Sequence, residues 1–469
     1  MKLTIPPLTV ALLTYNRLHY LKESIAAILE QSYQDFELLV LDNCSSDGTG
    51  EFILSLQDPR IRYVRNARNI STVEFNCLSA YHLALGPRVI VTHDDDIMER
   101  DMLARQMHFM DCHPEVGLVW TRVSDIDQHG HALADNSVAS DLERIFAPGE
   151  YISSFLRERL WPMPSGVMLQ RALLPRSYAV RGCFDSPARK KTLDSAGIED
   201  VLMPAHINRR HAIGYLEQPL LRRRVHTNQF SHAASLSLPG VYLYRALKNI
   251  AKGVAGLESE ALHFDARTAR FAIQEAITIQ ARRSIPKGVL QKIEKTAMGL
   301  TNNRRRAPDA FLAGLPIVLL AQLLAPARPV DILADLHANG YDSATRKLLA
   351  WAQQIGTRPG SSILASLQGR RVIIFGSAFI AALLILEAEK NSDRVVACVD
   401  SNVNRQGRSL LGVPIQPLGW LAEHVEEDDV VVISSERDHE HYIEALIRQH
   451  VQARARIVSW KDLPGNAGY

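Results

Sequence analysis

The stretch that most restricts how this chain can fold is Arg88-Val-Ile-Val-Thr-His-Asp-Asp-Asp96. Its apolar run, Val89-Ile-Val91, is β-branched and has no polar alternation, the pattern of a strand buried on both faces. It opens onto Thr92 and His93 and then onto three consecutive carboxylates, Asp94, Asp95 and Asp96. The carboxylates therefore fall where the strand leaves its sheet, the edge at which an α/β sheet presents its ligand crevice. Three adjacent negative charges repel one another, and beside buried apolar residues they call for positive charge to share them. A divalent cation meets that requirement, and hard oxygen ligands favour magnesium or manganese over zinc, which wants histidine or cysteine. The competing reading is a solvated helix start, because acidic residues ahead of residues 97–110 also complement a helix N-terminus.

The surrounding chain alternates strand and helix patterns. Leu8-Thr-Val-Ala-Leu-Leu-Thr14 predicts a first strand, and Leu18, Leu21, Ile25, Ile28 and Leu29 recur at helical spacing behind Asn16, a capping residue type. Phe36-Glu-Leu-Leu-Val-Leu41 predicts a second strand, running into the small polar residues of Asp42-Asn-Cys-Ser-Ser-Asp-Gly-Thr49, with Asp47 as a helix cap. A third strand is expected at residues 61–64, a helix at 72–85, another at 101–112, and a strand at Val116-Gly-Leu-Val-Trp120. Residues 125–150 read as an irregular excursion around the site, residues 165–171 as a strand, and 181–196 as a charged, turn-rich segment. Ile198-Glu-Asp200 leads into a helix, where its carboxylates could simply complement the dipole. Leu220-Leu-Arg-Arg-Arg-Val-His226 reads as a strand whose charge is either a solvated face or, opposite carboxylates, a holder for a diphosphate. Such alternation implies an α/β fold with a mainly parallel sheet covered on both faces.

At 469 residues two or three domains are expected. With 53 basic against 51 acidic residues the chain is not a general nucleic-acid binder. The cysteines, Cys44, Cys77, Cys112, Cys183 and Cys398, are scattered and form no Cys-x-x-Cys pair, which suits reduced thiols in a cytoplasm. The chain starts into a strand almost at once, without the pattern of a signal peptide. The longest apolar run, residues 310–325, is interrupted by Pro316 and carries Gln322, so it reads as a buried helix rather than a membrane span, with peripheral attachment left open. Boundaries are placed at 1–237, at 238–367 for a helical connector or acceptor-side platform, and at 368–469 for a small Rossmann-like α/β domain. In the last, Arg371-Val-Ile-Ile-Phe375 predicts a strand, residues 376–381 a turn into a helix, and 395–399 a strand ending at Asp400. Ala378 and Ala381 stand where a dinucleotide fingerprint has glycines, and Ala378 would hinder close approach of a pyrophosphate. Asp400 either meets a ribose hydroxyl or ends the strand as a turn residue.

Taken in order, Thr14-Tyr-Asn-Arg17, Asp42-Asn-Cys-Ser-Ser-Asp-Gly-Thr49, Arg65-Asn-Ala-Arg-Asn69, His93-Asp-Asp-Asp96, Ile198-Glu-Asp200 and Val225-His226 make residues 6–232 resemble glycosyltransferase family 2. The resemblance implies the GT-A nucleotide-diphospho-sugar transferase fold and an inverting hexosyltransferase that uses Mn2+ or Mg2+. It puts Thr14 and Tyr15 beside the base and ribose, Arg17 near the phosphates, Asp42 on the base, and Arg68 in a segment closing over it. Asp94 resembles the ribose or metal-shell carboxylate and Asp95 the metal ligand. Because His93 fills the first slot of the usual motif, Asp96 is an alternative ligand. Asp200, with Glu199 beside it, matches the catalytic base, His226 a histidine on the metal or diphosphate, and Arg224, with its neighbours, a stabiliser of the leaving group.

The expected reaction moves one sugar from a nucleoside diphosphate sugar, with UDP or dTDP favoured, to a saccharide, lipid-linked or glycoconjugate acceptor. Surface-polysaccharide or glycoconjugate synthesis in the cytoplasm or at the inner face of the membrane is the implied setting. Two rival readings differ in class: a nicotinamide-dependent nucleotide-sugar oxidoreductase centred on the last domain, and a non-catalytic carbohydrate-binding protein that kept the fold.

Overall fold

The computed structural model describes residues 5–70, 79–133, 142–158, 160–174, 199–226, 237–254, 256–257, 260–278, 285–324, 342–357, 361–367, 369–390, 394–401, 405–451 and 455–463. The chain divides into two compact units, residues 1–231 with 246–258, and residues 232–245 with 259–469. Residues 71–78, which take in the first half of the helix expected at 72–85, and the turn-rich segment at 181–196 lie outside the described residues.

The first unit runs β1 (Leu8–Thr14), α1 (Leu18–Leu29), β2 (Glu37–Asp42), α2 (Thr49–Ser55), β3 (Ile61–Arg65), α3 (Ala80–Leu83), β4 (Arg88–His93), β5 (Ile97–Met98), α4 (Met102–Cys112), β6 (Val116–Ile126), β7 (Glu143–Phe146), α5 (Glu150–Glu158), β8 (Val167–Gln170), α6 (Glu199–Asn208) and β9 (Ala212–Arg224). β1 and β2 are buried at every residue, and their sequences are apolar apart from Thr9, Thr14, Glu37 and Asp42, with the Thr9 hydroxyl donating to the Glu37 carboxylate at 2.7 Å. The sheet order is β3-β2-β1-β4-β8-β6-β9-β5, with β7 on β9. β1 pairs in parallel with β2 and β4, β2 with β3, and β6 with β9. β8 lies antiparallel between β4 and β6. The carboxyl ends of β1, β2, β4 and β6 therefore share one rim with the amino end of β8, and that rim carries the acidic triplet. Gly86 permits the approach to β4, since a Cβ there would lie 2.7 Å from the backbone of Leu8 and Thr9.

β6 does not end at Trp120 as its apolar pattern suggests. It continues to Ile126 as a polar ribbon on β9, with Asp125 opposite Arg223 and their side chains 2.7 Å apart. An ion pair across two half-exposed strands replaces the alternation that would have announced them. The end of α6 reaches the start of β6, where a Cβ on Gly117 would come within 2.8 Å of Ile207. About 15 Å of helix, at 1.5 Å per residue, then carries its first turn and Asp200 toward the carboxyl rim.

The second unit begins in α7 (Ser237–Ala251) and continues through α8 (Ala261–Thr278), α9 (Lys287–Asn302), α10 (Pro308–Leu324) and α11 (Ser343–Thr357). It then adds β10 (Arg371–Phe375), α12 (Phe379–Lys390), β11 (Arg394–Val399), β12 (Ser409–Leu410), β13 (Val413–Gln416), α13 (Trp420–His424), β14 (Val430–Ile433), α14 (Glu440–Arg448) and β15 (Arg456–Ser459). The second sheet has the order β12-β13-β11-β10-β14-β15, parallel except for the β12–β13 pair. Helices and sheet share one apolar cluster that includes Ile273, Phe311, Trp351, Leu383 and Trp460. α10 holds the longest apolar run, and its buried residues, Phe311 to Leu320 among them, are spent in that cluster. Among the described residues no helix is long and apolar enough to cross a membrane.

Candidate active site

The triplet leaves β4 as a turn held from behind by α1, where the Ser24 hydroxyl lies 2.8 Å from the Asp94 carbonyl and 2.7 Å from that of Asp96. All three aspartates are buried, so charge on any of them needs a local partner. Arg17, just after β1, supplies one. Its Nη1 is 3.3 Å from Asp94 and 2.8 Å from Asp95 Oδ2, and His226 Nε2 is 3.1 Å from the same Asp95 oxygen. The Tyr15 amide also donates to Asp94, at 3.3 Å.

Asp96 turns the other way, and its carboxylate accepts from the hydroxyl of Ser165, which in turn lies 3.2 Å from His93 Nδ1. Burial, and next the charge of Asp95, push Asp94 up to about 6 and Asp96 up to about 7. Burial also opposes the charge on Asp95, but the His226 hydrogen bond and the charge of Arg17 outweigh it and hold this carboxyl below the usual range. Negative charge thus concentrates on Asp95, whose Oδ2 has the shorter contact to Arg17, 2.8 Å against 3.3 Å for Asp94, and His226 besides.

On the β1–β2 side the two loops are laced together. Asn16, with φ 51°, accepts from the Ser46 amide, and Leu18 donates to Asp47, so Asp47 rather than Asn16 caps the start of α1. Asp42 is fully buried, accepts from the Ser45 amide at 2.8 Å and the Tyr63 hydroxyl at 2.6 Å, and so braces the loop. Asn43 holds both backbone groups of Ile70, and the segment it anchors leaves Arg68 exposed. Thr14 is buried at the end of β1, and Tyr15 beside it is 44 % exposed.

The arginine run does not face a common ligand. Arg222 pairs with Glu99 and Arg223 with Asp125. Arg224, expected on a leaving diphosphate, is 1 % exposed. Its nitrogens meet the carbonyls of Asp95, Asp127 and Gln128 and the carboxylate of Glu23, and its guanidinium lies over the Tyr20 ring. Its place is behind the triplet, tying β9 to the Asp95 backbone. Asp200 is half-buried in the first turn of α6, where its charge reaches the Tyr151 hydroxyl, and Tyr151 packs edge-on to Trp120 at 5.7 Å. The side chain of Glu199 lies outside the described residues.

Among the described residues no three His, Cys, Asp or Glu side chains are already gathered as a cage for a metal ion. The donor set still suits a hard cation that keeps positions for phosphate oxygens: Asp95 and His226 converge on each other, with Asp94 beside them, while Asp96 is committed to Ser165. Ser24, Ser165, Tyr20 and Tyr151 complete the site, and no motif announced them.

The family model for glycosyl transferase family 2 matches residues 9–161, which span β1 to the end of α5 and include the triplet. This segment belongs to glycosyl transferase family 2. An uncharacterised glycosyltransferase of Methanocaldococcus jannaschii is 29 % identical over 182 residues, 37 % of this chain and 59 % of that protein. The putative teichuronic acid biosynthesis glycosyltransferase TuaG of Bacillus subtilis is 31 % identical over 108 residues, 22 % of this chain and 42 % of its own length. The chain thus spans less than two thirds of the length of these relatives. The crystal structure of S. aureus TarS 1-349 in complex with UDP is 18 % identical, covering 74 % of this chain and 86 % of that one at a TM-score of 0.40.

The family 2 domain has the mixed α/β sheet of the GT-A type, and the second sheet lies beyond the matched segment. There the carboxylate of Asp400 is engaged by the Ser377 hydroxyl and faces Arg405 at 3.5 Å. Gly376, at φ 104°, is required because a Cβ would lie 2.5 Å from Ser434 Oγ. Nothing in this arrangement favours hydride chemistry over a structural turn.

Proposed function

We propose that the family 2 domain transfers one sugar, with inversion, from a nucleoside diphosphate sugar to an acceptor hydroxyl. The observation that carries this reading is the buried Asp94–Asp95 pair at the rim, facing Arg17 and His226, and the reading adds Asp200, in the first turn of α6, where its charge reaches Tyr151. Tyr15, with its exposed ring, and Arg68 border the base and ribose, and Asp42 acts by shaping their loop. UDP or dTDP is the favoured nucleotide. Arg17 is placed to exchange its carboxylate partners for phosphate oxygens. Mn2+ or Mg2+ held by Asp95 and His226, with Asp94 beside them, would neutralise charge on a departing diphosphate.

Asp200 takes the proton from the acceptor hydroxyl, which must approach the anomeric carbon from the face opposite the diphosphate. The name of TuaG points to teichuronic acid biosynthesis, and by that likeness the product here is a surface polysaccharide or glycoconjugate, made on the cytoplasmic side. The test is a panel of UDP-, dTDP- and GDP-sugars with Mn2+, Mg2+ or chelator, scored by mass spectrometry of released nucleotide. Release is expected from one donor class with metal and lost in Asp95→Ala. Activity that survives both this change and chelation refutes the metal assignment, and silence across the panel refutes the transferase.

A further inference from the structure

Among the described residues only three Phe, Tyr or Trp side chains are exposed, Tyr15, Trp161 and Tyr442, and the Tyr15 amide bonds Asp94 while Trp161 stands four residues before Ser165, which bonds Asp96. Tyr15 follows β1, on the nucleotide side. Trp161 is 40 % exposed and stands in the segment that enters β8, the strand on the opposite side of β4 from β1. Four residues on, Ser165 bonds the carboxylate of Asp96. One residue back, the carbonyl of Leu160 accepts from the hydroxyl of Tyr151 at 3.4 Å, the tyrosine that senses the charge of Asp200. The Trp161 segment is therefore tied at one end, through Ser165, to Asp96 and at the other, through Leu160, to the tyrosine that faces Asp200.

The segment is also stiff. Pro162 and Pro164 fix their own φ and restrict the residues before them, Trp161 and Met163. Pro162 is buried, Ser165 is buried, and Phe155 lies 5.8 Å from the indole, so the ring is supported from behind while its other surface stays open. An apolar ring held rigidly in water between a carboxylate cluster and a candidate base is poorly explained by packing. It fits the apolar face of a pyranose, which stacks on aromatic rings and leaves its hydroxyls free for hydrogen bonds.

We infer that Trp161 is the platform for the acceptor, and that the acceptor is a saccharide whose terminal ring stacks on the indole with one hydroxyl turned toward Asp200. Inversion demands this placement, because the attacking hydroxyl must lie across the anomeric carbon from the diphosphate held on the β1–β4 side. The inference rests on the transferase reading for its orientation, but binding of a sugar at Trp161 can be read without turnover.

The full chain and Trp161→Ala are titrated with maltose, lactose and chitobiose, following tryptophan fluorescence, after circular dichroism has verified that the variant folds. A sugar-dependent change present in the parent and absent from the variant is expected for at least one disaccharide. With the donor that supports nucleotide release, Trp161→Ala should raise the acceptor KM about tenfold while the donor KM moves less than about twofold, and Trp161→Tyr should recover most of the loss. Equal acceptor KM in a folded Trp161→Ala, or a parent blind to all three sugars, overturns the inference. Silence of every donor with an intact fluorescence response would refute the transferase while supporting the sugar platform.

Discussion

Burial of a carboxylate in α12 makes the second unit sensitive to pH. Glu387 is 1 % exposed among apolar residues and accepts from the Ile363 amide at 2.7 Å, and burial pushes its pKa up from 4.5 to about 7 against the pull of that bond, Ser362 and Lys390. A difference of roughly 2.5 units at 1.36 kcal/mol each corresponds to about 3 kcal/mol. The folded pKa lies above the unfolded one, so the folded state binds the extra proton. Its stabilisation is complete below about pH 4.5 and is lost as pH rises through about 7.

Glu387→Gln keeps the acceptor for the Ile363 amide and removes the charge. The variant should match the parent near pH 4.5 and exceed it by about 2–3 kcal/mol at pH 8. Urea unfolding is followed by tryptophan fluorescence in a Trp120→Phe/Trp161→Phe background, which leaves Trp420 and the core residues Trp351 and Trp460, with rings 6.2 Å apart, to report on this unit. With an m value of roughly 2–3 kcal/mol/M, the midpoint at pH 8 should move up by about 1 M. Taking the difference between variant and parent cancels every other titrating group. Parallel stability curves from pH 4.5 to 8 would refute the buried-charge argument.

Two further outcomes concern the rim. Ser24→Ala removes the hydroxyl that bonds the carbonyls of both Asp94 and Asp96, and should cost about 1–3 kcal/mol in denaturant unfolding and raise the donor KM, because the triplet turn loses its backing. An unchanged donor KM would mean the turn holds its shape without α1. Asp95→Asn should lower kcat/KM about a hundredfold or more, since the carboxylate that carries the site's charge is gone. Asp96→Asn should cost less than about tenfold at pH 7, because Asp96 already has a pKa of about 7 and faces Ser165. Equal losses in a steady-state assay would put Asp96 in the site after all.

Whether a residue was legible in the sequence depended on how many neighbours its role required. β1, β2 and β4 stand out because a strand buried on both faces must be apolar along its whole length, and the polar residues that end such a run fall at the rim. Asp94 and Asp95 were legible for that reason, and so was the need for positive charge nearby. That Arg17 supplies part of it was not, because 77 residues separate Arg17 from Asp94 and only the parallel pairing of β1 with β4 brings them together.

Arg222, Arg223 and Arg224 look alike in sequence, yet one meets Glu99, one meets Asp125, and one is sealed beneath Tyr20, because each faces a different partner element. Ser24 and Ser165 carry no signal at all, since a single hydroxyl in a helix or a loop is ordinary until its acceptors are placed. The same logic explains Trp161. In sequence it is one tryptophan before a proline, and only the insertion of β8 between β4 and β6 brings the segment that carries it beside the strand that ends in the carboxylates. An antiparallel strand inserted into an otherwise parallel run thus gives the rim two sides, as the proposed displacement, with its leaving group and its nucleophile on opposite faces of one carbon, would require.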